Sequence, residues 1–463
     1  MATEASATRA SLPQSGWRDL LRREDWWAVW LGVGLTVVAV WFFEQGSSIK
    51  WLAVTPKKWS QISEAVADLK AQWPRYGALF ALWAVLLSTG IKAFGLHLRH
   101  FLPSFAFVYV VAVLIFTLGQ WTQADHYNLE PPLVALALGL LLANTSVLPK
   151  WMDAGFRVEY YIKTGIVLLG ATLPFTLILW AGPVAFLQAS IVSLATFGVI
   201  YFVGLRLKLD PRLAATLGAG GAICGVSGAI AVAGAVGARK QDAPVAITLV
   251  IFWAIVMIFV LPLASRALGL STGVAGAWIG TSEFADAAGL AAAQAYAGYA
   301  GHVAGITGTP DAALSAFTLM KVIGRDVWIG IWAFVLSIVA TTRWESTGVT
   351  RAPDAGEIWR RFPKFVIGFL LASVIITLVT VSVSYADFRK TVTPDLVAPL
   401  KNLRTWAFIF CFLSIGLTTR VRELAGAGAR PFWAFTSGVL VNVVLGFLLS
   451  TIVFAAHWAQ LAP

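Results

Sequence analysis

Phe432-Trp-Ala-Phe-Thr-Ser-Gly-Val-Leu-Val-Asn-Val-Val-Leu-Gly-Phe-Leu-Leu-Ser-Thr-Ile-Val-Phe454 runs without one charged side chain. A helix of about 20 such residues crosses the hydrocarbon core of a bilayer. Trp27 to Phe43 and Phe365 to Val383 repeat the pattern. The whole chain is 58% hydrophobic and 12% charged, whereas a soluble domain carries about a quarter charged residues. A water-soluble core cannot absorb that much apolar surface. The blocks are continuous and rich in Gly, Ala and Leu, so they form helices that satisfy their own backbones in lipid. Barrel strands would show alternating segments of about ten residues instead. The fold expected is an all-α polytopic membrane helix bundle with roughly 11–13 embedded helices.

The net charge of +11 comes from Lys and Arg scattered between the apolar blocks, a pattern of loop charges rather than a nucleic-acid surface. Cys224 and Cys411 lie in apolar stretches without metal-ligand spacing, so neither a disulfide framework, a metal site nor another cofactor is expected. Residues 1–25 are polar and carry Arg9, Arg18, Arg22 and Arg23. With no small-residue cleavage site after the next apolar run, they read as a cytoplasmic tail before an uncleaved first span.

Residues 26–130 then form an N-terminal set of membrane helices and 131–463 a core. Between 44 and 76, Trp51, Trp59, Ile62, Val66 and Trp73 suggest a helix lying in the interface. Spans are expected near 77–96, 101–121, 132–148, 165–181 and 185–205, with 181–184 as an outside loop. From 213 to 342 glycines and polar residues break the apolar pieces at 213–237, 244–264, 273–296 and 312–342. Firmer spans follow near 364–384, 402–418 and 431–455.

Loops with Lys150, Arg157 and Lys163, with Arg206, Lys208 and Arg212, with Arg343, Arg351, Arg360 and Arg361, and with Arg420, Arg422 and Arg430 should all face the cytoplasm. A chain whose N-terminus starts inside reaches all four. The loop at 122–131 and the C-terminal tail lack Lys and Arg, as outside segments should. The 44–76 segment, with Lys50, Lys57, Lys58, Lys70 and Arg75, runs against the rule.

The densest motif is Gly218-Ala-Gly-Gly221-Ala-Ile-Cys224-Gly225-Val-Ser227-Gly228. Small residues permit close helix packing, which is one reading. The other is a discontinuous helix whose freed N–H groups, aided by Ser227, hold an anion at mid-membrane, with Gly221, Cys224 and Gly225 at the break.

Ile223-Cys224-Gly225-Val226-Ser227 resembles the Ile-Cys-Gly-x-Ser signature of the YeiH-type family of bacterial membrane proteins, labelled sulfate exporters. Tyr160-Tyr-Ile-Lys163-Thr-Gly165-Ile-Val-Leu-Leu-Gly170-Ala is similar to the family's Lys/Arg-x-Gly-Ile-x-Leu-x-Gly span, and Lys321-Val-Ile-Gly-Arg325 to its later basic helix. Phe362-Pro-Lys364-Phe and Ser414-Ile-Gly416-Leu417 also resemble family segments. The likeness covers roughly residues 130 to 455. It implies a transporter of a small inorganic or sulfonated anion in the inner membrane and, by fold-level analogy, two inverted five-helix repeats. Leu169-Gly170-Ala-Thr172 and Ile415-Gly416-Leu-Thr418 echo each other weakly as such repeats would. One departure stands at Gly280-Thr-Ser282-Glu283-Phe-Ala-Asp286, where the family often has His-Glu or Asp-Asn.

Glu283 and Asp286, three apart, would share a helix face, as would Lys321 and Arg325, four apart. Ionisable groups inside a membrane cost at least about 2.5–3.5 kcal/mol each, which marks them as functional candidates. The basic pair is assigned to anion binding and the acids to proton coupling, with a Na⁺ site as the rival. Mutual neutralisation is the bland alternative. Lys92, Lys163 and Lys364 sit at span ends and snorkel. Glu159 and Asp326 border charged neighbours and need no role.

Three function classes compete. A secondary transporter fits the absence of a Walker-type phosphate loop. An intramembrane serine protease would use Gly225-Val-Ser227-Gly228 with an activating His, but His97, His100, His126, His302 and His457 all fall near ends or loops. An ion channel differs from a carrier only by conductance. No nucleic-acid partner is expected; the lipid bilayer is, and a homo-oligomer is open.

Overall fold

In the computed structural model, which describes residues 19–124, 131–145, 148–173, 175–239, 241–344, 363–381, 383, 388–420 and 428–461, the described elements are helices joined by short connections. In chain order they are α1 (Glu24–Glu44), α2 (Ile62–Ala93), α3 (Leu98–Gly119), α4 (Pro131–Thr145), α5 (Val158–Gly170), α6 (Phe175–Arg206), α7 (Pro211–Ala222), α8 (Val226–Ala235), α9 (Asp242–Ala267), α10 (Thr272–Ser282), α11 (Asp286–Ala297) and α12 (Pro310–Thr318). A π turn, Leu319–Arg325, joins α12 to α13 (Trp328–Val339). After them come α14 (Lys364–Thr380), α15 (Ala398–Thr418, led in by a π segment Phe388–Val397), α16 (Ala429–Leu448) and the short α17 (Ala455–Ala459).

Seven described helical stretches are long and apolar enough to cross a membrane, among them α1, α2, α3, α6 and α9. Their outward sides carry Val37, Leu194, Leu440, Val444 and Ile452 in the open, a surface that would aggregate in water and suits lipid. The chain is an all-α polytopic membrane helix bundle. Small residues set the closest approaches. A Cβ on Gly139 of α4 would fall 2.6 Å from the Leu413 carbonyl of α15, and one on Gly416 would fall 2.7 Å from the Gly139 Cα, so these backbones touch.

Two breaks shape the centre. The stretch 213–237 is a helical hairpin: α7 runs in, Ile223–Gly225 turn, and α8 runs back. Its base is closed by Arg212 Nη1 donating to the Gly237 carbonyl at 3.0 Å and by an Arg239–Asp210 ion pair at 3.0 Å. The stretch 273–296 folds likewise, with α10 and α11 turning at Glu283–Ala285. There the base is held by the Thr272 N–H on the Thr307 carbonyl and by Tyr296 Oη on the Leu270 carbonyl. Arms of 10 to 12 residues rise roughly 15–18 Å, to about the middle of a ~30 Å core. The 26-residue α9, roughly 39 Å long, links one base to the other, so the hairpins enter from opposite faces and meet tip to tip.

Several expectations change. Residues 62–76 are not part of a separate interfacial helix, because α2 runs unbroken from Ile62 through Pro74. Only a short turn, Ile49–Trp51, precedes it, and Trp59 stacks on Trp121 at the end of α3. Gly182 and Pro183 are not a loop. They lie inside the 32-residue α6, where neighbouring turns re-satisfy the backbone around proline, and the turn falls at Ala171–Leu173 instead. The expected spans 165–181 and 185–205 therefore become α5 and α6. Glu283 and Asp286 do not share a helix face, since Glu283 ends α10 and Asp286 begins α11. The expectations at residues 1–18, His126, Arg351, Arg360, Arg361, Phe362 and Arg422 lie outside the described residues.

Candidate functional site

The meeting point is built by glycine. Gly225 has φ +73° and ψ −108°, a conformation closed to side chains, and a Cβ there would fall on the Phe284 carbonyl. The two tips are therefore in backbone contact. Within the second tip, Glu283 Oε2 accepts the Ala285 N–H at 2.6 Å and fixes the turn.

Lys321 and Arg325 tie the tips together. Arg325, fully buried, donates through Nη1 to the carbonyls of Thr281 (2.7 Å) and Glu283 (2.8 Å) and through Nη2 to that of Gly221 (3.1 Å). Lys321, equally buried, donates to the Glu283 carbonyl at 3.0 Å and lies 3.6 Å from Asp286 Oδ1. These carbonyls belong to the last turns of α7 and α10, the negative ends of two helix dipoles. The cations complement them there.

The positive ends of the partner helices point elsewhere. Cys224 and Val226 at the start of α8, and Ala285 to Ala288 at the start of α11, line one cavity of about 190 Å³, far above the ~10–15 Å³ one water needs. The first N–H groups of each helix have no intrahelical partner. Glu159 at the start of α5 and Thr418 and Thr419 at the end of α15 complete its mouth, near Lys163 one turn further along α5 and Arg420 just past α15. Lys163 bonds Asp25 at 2.7 Å and Glu159 at 3.2 Å, so it is a paired residue rather than a free snorkelling one.

Of the residues singled out in the sequence, Cys224 and Asp286 line the cavity and Ser227 lies half-buried in the first turn of α8. Gly225 makes the tip, and Gly221 offers its carbonyl to Arg325. Glu283 keeps its carboxylate inside the turn, with Oε1 free of hydrogen bonds. Lys321 and Arg325 stand behind the cavity wall and do not line it. Among the described residues no histidine lines it either. Glu159 and Asp326, given no role by their neighbours in sequence, are respectively at the cavity mouth and fully buried with both carboxyl oxygens free of hydrogen bonds. Arg404 of α15, also buried, donates to Thr172 Oγ1 at 2.9 Å across the α5–α6 turn.

The sequence profile of a family described as Conserved hypothetical protein 698 matches residues 103–435. A UPF0324 membrane protein of Nitratidesulfovibrio vulgaris is 32% identical over 89% of this chain and 69% of its own length. The chain belongs to the UPF0324 family. Another UPF0324 membrane protein, of Rhodopirellula baltica, is 30% identical over 90% of the chain and 74% of itself. One from Nitrosomonas europaea is 27% identical with 95% and 96% covered. No solved structure matches the chain. The UPF0324 match spans both hairpins, the π turn and α15, the elements that build the cavity.

Proposed function

We propose that this UPF0324 protein is a secondary transporter that carries a small anion, sulfate or a related oxyanion or sulfonate, across the cytoplasmic membrane. The observation that carries this reading is the convergence of two half-helix N-termini on one cavity at mid-membrane depth. Unpaired N–H groups and dipole ends replace an anion's hydration without a cationic side chain in contact. Lys321 and Arg325 add positive potential from behind the wall and hold the tips in place.

The face with Lys150, Arg157, Lys163, Arg206, Lys208, Arg212, Arg343 and Arg420 is the cytoplasmic one, and the N-terminus starts there. The cavity mouth at Glu159 and Thr418 then opens inward. Protons move with the anion. Asp286, the cavity carboxylate beside Lys321, and Glu283 in the turn are the groups that take them up when an anion draws the lysine's field away.

Purified protein in liposomes, offered a panel of sulfate, sulfite, phosphate and alkyl sulfonates, tests the reading. Saturable uptake of one or more of these, with a pH change inside sodium-free vesicles, is expected. Uptake no faster than in empty vesicles for the whole panel would sink it.

A further inference from the structure

Asp326 follows Arg325 at the end of the π turn and is 0% exposed, yet neither of its carboxyl oxygens has a hydrogen-bond partner. Its position is a consequence of the turn. At 100° per residue an α-helix would set residue 326 about 140° around from residue 321. The i→i+5 bond, Asp326 N–H on the Lys321 carbonyl at 2.9 Å, stacks the two instead. Lys321, Arg325 and Asp326 therefore share one face.

The charged surroundings of this face can be named element by element. α6, packed along the π turn, brings no charged residue before Arg206, and α10 and α13 bring none. α12 brings only Asp311, at its far end and paired with Lys401 at 2.8 Å. The second hairpin tip brings Glu283 and Asp286, and the first brings the Cys224 thiol. Glu159 acts from the cavity mouth and is balanced by Lys163. The enclosed cluster thus sets two cations, Lys321 and Arg325, against three carboxylates, Glu283, Asp286 and Asp326. With every group ionised it would carry one net negative charge in a setting where unpaired charge is costly.

Glu283 has the Ala285 N–H and Asp286 has Lys321, whereas Asp326 has no donor. The geometry points to Asp326 as the resident proton carrier of this cluster, holding one proton in the state seen here and exchanging it with the cavity by way of Asp286 across Lys321. A carboxyl oxygen holds the proton before and after each exchange, one O–H bond breaking as the other forms, and the net charge of the cluster is unchanged. When Lys321 swings from Asp286 to Asp326, the Asp326 proton moves to Asp286 at the cavity wall, and the return movement brings it back. The meaning of the proton rests on the transporter reading, but its presence does not.

Infrared spectra of the purified protein in lipid at neutral pH, before and after exchange into deuterated buffer, read the proton directly. Wild type should show a protonated carboxyl C=O band that shifts in deuterium. The band should be lost in Asp326→Asn and kept in Asp311→Asn, whose carboxylate stands outside the cluster. In liposomes, Asp326→Asn should keep anion counterflow within about twofold of wild type and lose pH-gradient-driven accumulation by tenfold or more. No such band in wild type overturns the assignment, whatever the variants do. So does a band unchanged in Asp326→Asn, or full gradient-driven accumulation in it. Absence of all anion flux in wild type with the band present would instead reject the transporter reading and leave the proton on Asp326.

Discussion

A Cβ on Gly225 would collide with the carbonyl of Phe284, and at that close approach the tips of two hairpins from opposite faces meet. A side chain at residue 225 must break the contact and adopt a disallowed backbone. Gly225→Ala should therefore cost about 1–3 kcal/mol from backbone strain alone. Thermal unfolding in detergent should show a clear drop in midpoint, and anion flux should be lost. Gly198→Ala in α6, where a Cβ meets nothing within 4 Å, is the control and should leave both unchanged or raise the midpoint slightly.

Arg325 serves three carbonyls at once, in two different hairpins. Arg325→Met leaves them unpaired in a dry interior, at about 1–3 kcal/mol for each buried group. Folded yield and midpoint should fall far more than for Arg239→Met at an exposed hairpin base, where the ion pair is worth under about 1 kcal/mol. Arg325→Lys keeps the charge but cannot span both tips, so it should recover part of the stability only. Equal midpoints for Arg325→Met and wild type would remove the tie from the account.

The backbones of α4 and α15 meet at Gly139 and Gly416. Forcing a branched side chain into that contact, as Gly139→Val or Gly416→Val, should destabilise by about 1–3 kcal/mol as overpacking does. Because the pair stands beside Leu136 and Ile415 of the cavity wall, flux should fall even in preparations that remain folded. Normal flux and stability in both variants would contradict the packing described.

Sidedness has a direct check in a Cys224→Ala/Cys411→Ala background. A cysteine at Thr122, beyond α3, should react with an impermeant maleimide in intact cells. One at Arg206, at the end of α6, should react only after permeabilisation. The reverse pattern would turn the cavity mouth outward.

The long apolar blocks made the bundle legible, and the glycines from Gly218 to Gly228 marked where a helix breaks. They did not tell whether the chain continues or doubles back. That depends on contacts distant in sequence, such as Arg212 with Gly237 and Thr272 with Thr307. The spacing of Glu283 and Asp286 suggested one face only under unbroken helical geometry, and no local feature of Thr281 to Ala285 announces the turn as loudly as the glycines do. Asp326 was hidden for a related reason. Beside Arg325 in sequence it reads as a paired charge, and only the π turn shows it stacked over Lys321 with no donor of its own. Gly182-Pro183 misled in the other direction, since a long membrane helix tolerates both.

Cys224 stands at the tip of the first hairpin, lines the cavity and is a native reporter of what binds there. Alkylation of Cys224 by a small thiol reagent in a Cys411→Ala protein, with and without each anion of the panel, reads occupancy of the hairpin tips. One or more small oxyanions should slow the reaction at least fivefold, saturably, and should not slow it in Gly225→Ala. A rate indifferent to every anion in the panel would contradict an anion site at the hairpin tips.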